Sequence, residues 1–147
     1  MKKICKIKIH PLLIPLFLFY LIQGNALLFL GILFFVTLHE IGHCITAVCF
    51  GAKIKQIWFT PVGERAIIKG LESPSFLQRQ IIFCSGPLVS ACMALICMIC
   101  GSTIFAGFNF ILCLFNLLPF LPLDGGNIVL HWAGKKYGIL RTASILV

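Results

Sequence analysis

Long stretches without a formal charge, separated by short polar breaks, set the pattern of this chain. Ala26 to Phe50 is apolar apart from one HEIGH cluster, while Ile81 to Cys100 and Ile104 to Leu123 carry no charged residue. A shorter apolar run, Pro11 to Ile22, has prolines at Pro11 and Pro15. Roughly 20 helical residues cross a hydrocarbon core about 30 Å thick, so the three long runs predict membrane helices. The short run predicts a fourth, retained rather than removed as a signal peptide, because no Ala-x-Ala cleavage site follows its basic start. Neutral breaks at Gln23-Gly24-Asn25 and Gly101-Ser102-Thr103 divide these runs, and a polar stretch from Gly51 to Gln80 separates the second from the third. Within it, Ile54 to Thr60 is rich in β-formers, Pro61-Val-Gly-Glu64 offers a turn, and Arg65 to Lys69 can return as a second strand. The expected fold is an all-α integral membrane protein of about four membrane helices, with a small cytoplasmic β-hairpin between the second and third. Residues 1–147 are expected to form one membrane-embedded core. The hairpin reads either as a short structured loop or as an edge strand that receives an extended substrate.

Composition supports lipid as the solvent: 60% of residues are hydrophobic and 11% are charged, too few to cover a soluble globule. The net charge of +8 needs no nucleic-acid partner, since no basic and aromatic interleaving accompanies it. With a cytoplasmic N-terminus, all twelve Lys and Arg fall on the inner side, the distribution of the positive-inside rule. The expected location is thus a bacterial cytoplasmic membrane, crossed several times, with the basic residues at anionic headgroups. Seven of the eight cysteines lie in apolar segments and Cys5 lies in the basic tail, so packing explains them better than disulfides do.

His39-Glu40-Ile41-Gly42-His43 places two imidazoles four residues apart in an apolar run. On a helix these positions share a face and can reach one ion, with the adjacent Glu40 close enough to act on water. Random placement of these residue types gives about 0.002 such matches in a chain of this composition. Ionisable groups at membrane depth are costly and mark functional sites, and Gly42 permits close approach of another backbone. Catalytic zinc takes three protein ligands and keeps a fourth position open. Glu64 and Glu72 fall in the polar stretch, whereas Asp124 ends the fourth segment. At about 1.5 Å per residue, His43 lies roughly 26 Å from Ala26 and Asp124 roughly 30 Å from Ile104, so the two reach similar depth. Pro119 and Pro122 break the helix before Asp124, and Gly125 and Gly126 allow sharp turns that would aim the carboxylate.

HEIGH in one segment, Ser85-Gly86-Pro87 in the next, and Asn116-x-x-Pro119-x-x-Pro122-Leu-Asp124-Gly125 near the end of another resemble the site-2 protease family of intramembrane metalloproteases. Lys8-Ile9-His10-Pro11 and the Asn116 to Gly126 stretch look most like the bacterial sporulation branch that processes pro-sigma-K. The resemblance implies zinc on His39, His43 and Asp124, Glu40 as catalytic base, and cleavage of a membrane-associated regulatory precursor, such as a sigma-factor precursor, near the cytoplasmic face. Asn116 is either a substrate-backbone contact or a helix-bonding asparagine. His10 reads as an interfacial residue, and His131 has no metal role. Members of that branch continue into further membrane segments and a cytoplasmic regulatory domain. Their expected absence here leaves room for a regulatory membrane partner or a homo-oligomer. Two other readings stand beside the protease: a metal carrier using the same ligands, and a catalytically silent interaction protein. Glu40 separates the first of these from a hydrolase, because transport needs no carboxylate beside the first histidine.

Overall fold

A computed structural model describes residues 6–60, 63–69 and 74–137. The expected turn at Pro61-Val-Gly-Glu64 therefore lies partly outside the described residues, and Glu72 and Arg141 lie wholly outside them. The chain folds as two compact units, Met1–Glu72 and Ser73–Val147.

In the first unit, β1 (Lys6–Ile9) leads into α1 (Leu13–Ile22) and α2 (Ala26–Cys49), followed by β2 (Lys53–Thr60) and β3 (Gly63–Lys69). The three strands make one sheet in the order β1-β2-β3. β1 runs parallel to β2, with Ile7 opposite Ile57, and β2 is antiparallel to β3, with Trp58 opposite Arg65. The strand β1 is an addition to the expected hairpin, and it changes the edges. β2 is central, so the strand edges left for another chain belong to β1 and β3. Aromatic contacts join α1 to α2: Phe17 and Tyr20 both meet Phe29, at centroid distances of 5.6 and 5.4 Å.

The second unit contains α3 (Phe76–Ile99), α4 (Thr103–Asn116) and α5 (Asp124–Tyr137). A capping box starts α3: Gln78 N donates to Ser75 Oγ at 3.2 Å, and Ser75 N donates to Gln78 Oε1 at 2.8 Å. Two polar side chains, Ser90 on α3 and Asn109 on α4, are the largest fully buried ones among the described residues. The Asn109 amide donates back to the Phe105 carbonyl at 2.8 Å, which satisfies its N–H within an apolar helix.

α1, α2 and α3 end in the same way. Gly24, Gly51 and Gly101 have φ of 71°, 90° and 78°, a region open to glycine at little steric cost. The residue after each glycine donates back five positions, as in Asn25 N to Tyr20 O at 2.8 Å and Ser102 N to Cys97 O at 2.8 Å. These Schellman closures satisfy carbonyls that the helix ends leave without an intrahelical donor.

α2 and α3, with 24 residues each, are the two described helices long and apolar enough to cross a membrane. Only 28% and 22% of their most apolar windows are buried within the protein. That suits lipid-facing helices better than soluble cores, which would bury most of this surface. α1 and α4 have 10 and 14 residues, spanning about 15 and 21 Å. Both are shorter than the expected spans. For α4 the reason is local: the apolar run continues to Leu123, but α4 stops at Asn116, ahead of the expected proline break. Pro119 and Pro122 have no N–H to continue the ladder.

Candidate metal centre

α2 is helical through the whole HEIGH sequence, and the hydroxyls that compete with a helix backbone are used inside it. Thr37 Oγ1 donates to Leu33 O at 2.7 Å and Thr46 Oγ1 to Gly42 O at 2.8 Å. His39 and His43 are both buried, at 6% and 8% exposure, one turn apart on the helix. Their Nε2 atoms lie 3.3 Å apart and their rings meet edge to face with centroids 5.0 Å apart. Two imidazoles on one tetrahedral zinc, with Zn–N near 2.0–2.1 Å, place their nitrogens about 3.3–3.4 Å apart. The pair thus fits a shared zinc ion without rearrangement. Glu40 is half-buried beside them, and Gly42 is buried between them.

Asp124 is the first residue of α5, half-buried, rather than the last residue of the fourth segment. The depth reckoning from Ile104 along one continuous helix therefore does not apply to it. The seven residues between α4 and α5 form a hydrogen-bonded loop, with Leu118 N donating to Phe115 O at 3.2 Å and Leu123 N to Phe120 O at 2.9 Å. Gly125 and Gly126 were expected to make sharp turns. They are instead helical and buried. A Cβ on Gly125 would overlap the Leu117 carbonyl, and one on Gly126 the Phe120 carbonyl. Their use is close backbone contact. The position also favours a carboxylate, because the N-terminus of a helix carries partial positive charge.

Asn116 ends α4, and its Nδ2 donates to the Leu112 carbonyl at 2.9 Å, the helix-bonding arrangement. His10 precedes α1, its Nδ1 accepting from Leu12 N at 3.3 Å and its carbonyl from Leu13 N at 3.0 Å. His131 lies on α5, stacked on Phe83 of α3 with centroids 5.8 Å apart and ring planes 22° apart. Burial first, and then the Arg79 guanidinium, hold its imidazole below the ordinary histidine value. Gln80 adds a second tie between these helices, donating to the Ile128 carbonyl at 3.2 Å.

Asn127 carried no signal in the sequence, yet it makes two side-chain bonds beside Asp124. Its Nδ2 donates to Leu123 O at 3.0 Å and to Pro122 O at 3.2 Å.

Residues 27–107, more than half the chain, match the pattern of peptidase family M50. The chain belongs to this family, the site-2 proteases. The match includes the HEIGH helix and ends before Asp124. A zinc metalloprotease of Methanocaldococcus jannaschii is 32% identical over 132 residues, covering 82% of this chain and 38% of that protein. Stage IV sporulation protein FB of Bacillus subtilis is 29% identical over 142 residues, covering 90% of this chain and 49% of that protein. This M50 chain therefore spans less than half the length of either relative. The solved structure of a site-2 protease from Methanocaldococcus jannaschii superposes with a TM-score of 0.75 at 29% identity, covering 99% of this chain and 76% of that one. Zinc is the metal that this membership and the His39–His43 geometry both indicate.

Proposed function

We propose that this chain is the metalloprotease core of an intramembrane zinc endopeptidase. The observation that carries the reading is the buried His39–His43 pair at zinc-ligand spacing, with Glu40 beside it, in a 24-residue apolar helix. Asp124 is proposed as the third ligand. One carboxylate oxygen with two imidazole nitrogens is a ligand set that would leave one zinc position open. When bound there, zinc supplies a Lewis acid that acidifies water and polarises the scissile carbonyl. Glu40 accepts the proton of the attacking water and passes it to the leaving amine. Asn116 is retained as a candidate contact for the substrate backbone through its amide oxygen, since its N–H is turned into α4.

The proposed substrate is a membrane-associated regulatory precursor cut near the cytoplasmic face. The likeness to a sporulation protein supports a sigma-factor precursor as the first to test. The proposed setting is the bacterial cytoplasmic membrane with the N-terminus inside, which the distribution of lysine and arginine supports. α1 and α4 are proposed to enter the bilayer as short helices joined to α2 and α3 by the glycine turns.

The deciding experiment is reconstitution of the chain in lipid with zinc and a membrane-tethered precursor, comparing the parent with Glu40→Gln. Glutamine preserves size but accepts no proton, so zinc content should hold while cleavage falls by about 10²–10⁴. Substantial cleavage by Glu40→Gln would remove the base assignment. Parent protein that binds zinc but cleaves no precursor would favour the metal-carrier reading.

A further inference from the structure

An aspartate side chain is short, so the place of its carboxylate follows the backbone closely. The backbone around Asp124 is held from two sides. On one side, Asn127 ties down the two carbonyls that immediately precede it. Its backbone N–H donates to Leu123 O at 3.0 Å, the ordinary first bond of a helix. Its side-chain amide then donates to the same carbonyl at 3.0 Å and to Pro122 O at 3.2 Å. Helix formation requires neither of these side-chain bonds, because a helix start has spare N–H groups rather than spare carbonyls. On the other side, Gly125 and Gly126 let the backbone of residues 117–121 lie directly against the first turn of α5. Consecutive glycines are disfavoured within a helix, so their presence in the turn that carries Asp124 calls for a compensating use. The atoms that a Cβ would meet are backbone carbonyls, which move only if the loop moves.

We propose that Asn127 is a positioning residue for the Asp124 carboxylate, acting together with the Gly125–Gly126 contact to fix the direction in which that carboxylate meets the metal. The inference rests on Asp124 being the third zinc ligand. In this role Asn127 acts through the backbone and not as a ligand. It holds residues 122 and 123, the glycines hold residues 117–121, and Asp124 lies where the two restraints meet.

The test measures zinc affinity by competition with a chromogenic chelator, using the full chain in lipid. Asn127→Ala removes both side-chain bonds and adds no charge. Alanine is also a better helix former than asparagine, so a lost affinity cannot be assigned to a weaker α5. Zinc affinity should fall about tenfold, the lower end of what loss of a supporting partner costs. The helix content of the metal-free protein should stay unchanged. In an Asp124→Ala background the same substitution should have no further effect, whereas a merely structural role would lower affinity by the same factor in both backgrounds. Gly126→Ala should behave like Asn127→Ala. If that variant does not fold, Asn127→Ala decides alone. Unchanged affinity in Asn127→Ala, or an equal loss in both backgrounds, overturns the positioning role while leaving Asp124 as a ligand. Unchanged affinity in folded Asp124→Ala removes the ligand assignment itself, and the positioning role falls with it.

Discussion

The two regions that bring donor groups to this protein hold them by different means. In α2, one uninterrupted helix fixes His39 and His43 relative to each other, and the 3.3 Å between their Nε2 atoms follows from i, i+4 geometry and two rotamers. At the start of α5, Asp124 stands at a change of element, held by a loop, a side-chain amide and two glycines. The first arrangement depends on residues within one turn of the site. The second depends on contacts reaching back to Leu117. A helical pair can therefore stay in place while its surroundings move, but Asp124 moves with its loop.

The sharpest way to break this contrast is to remove one proposed ligand from each region. Structural zinc sites release about 10–16 kcal/mol from four ligands, so a well-placed ligand is worth on the order of 10²–10³ in affinity. His43→Ala should show the upper end of that range and Asp124→Ala the lower, because the imidazoles are placed by one helix and the carboxylate through a loop. Isothermal titration with a competing chelator measures both. Equal losses would mean that Asp124 is as rigidly held as the histidines, and the contrast would fail.

The same difference decides what could be read from sequence. His39, Glu40 and His43 were legible because their geometry is local: once a helix is granted, spacing alone places them on one face. Asp124 was legible as a candidate, being one of few acids in an apolar chain, but its surroundings were not. Whether Gly125 and Gly126 turn the chain or pack within a helix depends on the Leu117–Phe120 carbonyls opposite them, and sequence does not show that contact. The break after α4 was legible in Pro119 and Pro122, although the helix ends three residues before the first of them. β1 was missed for a different reason. Lys6-Ile7-Lys8-Ile9 alternates with the period of a strand, but four residues make a weak pattern until β2 offers a partner.

One feature shared by the two units offers a finer check. Each contains a pair of helices joined by a tight turn with a left-handed glycine, Gly24 in the first and Gly101 in the second. With the N-terminus inside, as proposed, both turns fall on the outer side of the membrane. In a background without native cysteines, single cysteines at Asn25 and Ser102 should react with an impermeant reagent added outside, and one at Gln56 should not. Labelling at only one of the two turns would show that the units cross the membrane differently, and labelling at Gln56 alone would invert the topology.

The smallest expected effect lies in the hold of α5 on α3. His131 stacks on Phe83, and burial together with Arg79 favours its neutral form in the folded protein. The charged group that bears on it is Arg79, from α3. Well above the ordinary value of 6.5, the imidazole is neutral in both folded and unfolded chains, so this group adds no pH dependence. As pH falls through that value, the unfolded chain takes up a proton that the folded chain resists, and stability declines until the lowered folded value is passed. Metal-free protein in lipid should therefore lose part of its thermal stability between about pH 7 and pH 5, the range in which histidine titrates. His131→Phe keeps an aromatic partner for Phe83 and removes the proton site, so its unfolding midpoint should change less with pH than the parent's. Parallel pH profiles for the two proteins would show that the stack carries no such penalty. The contrast with α2 would then rest on the loop and the glycines alone.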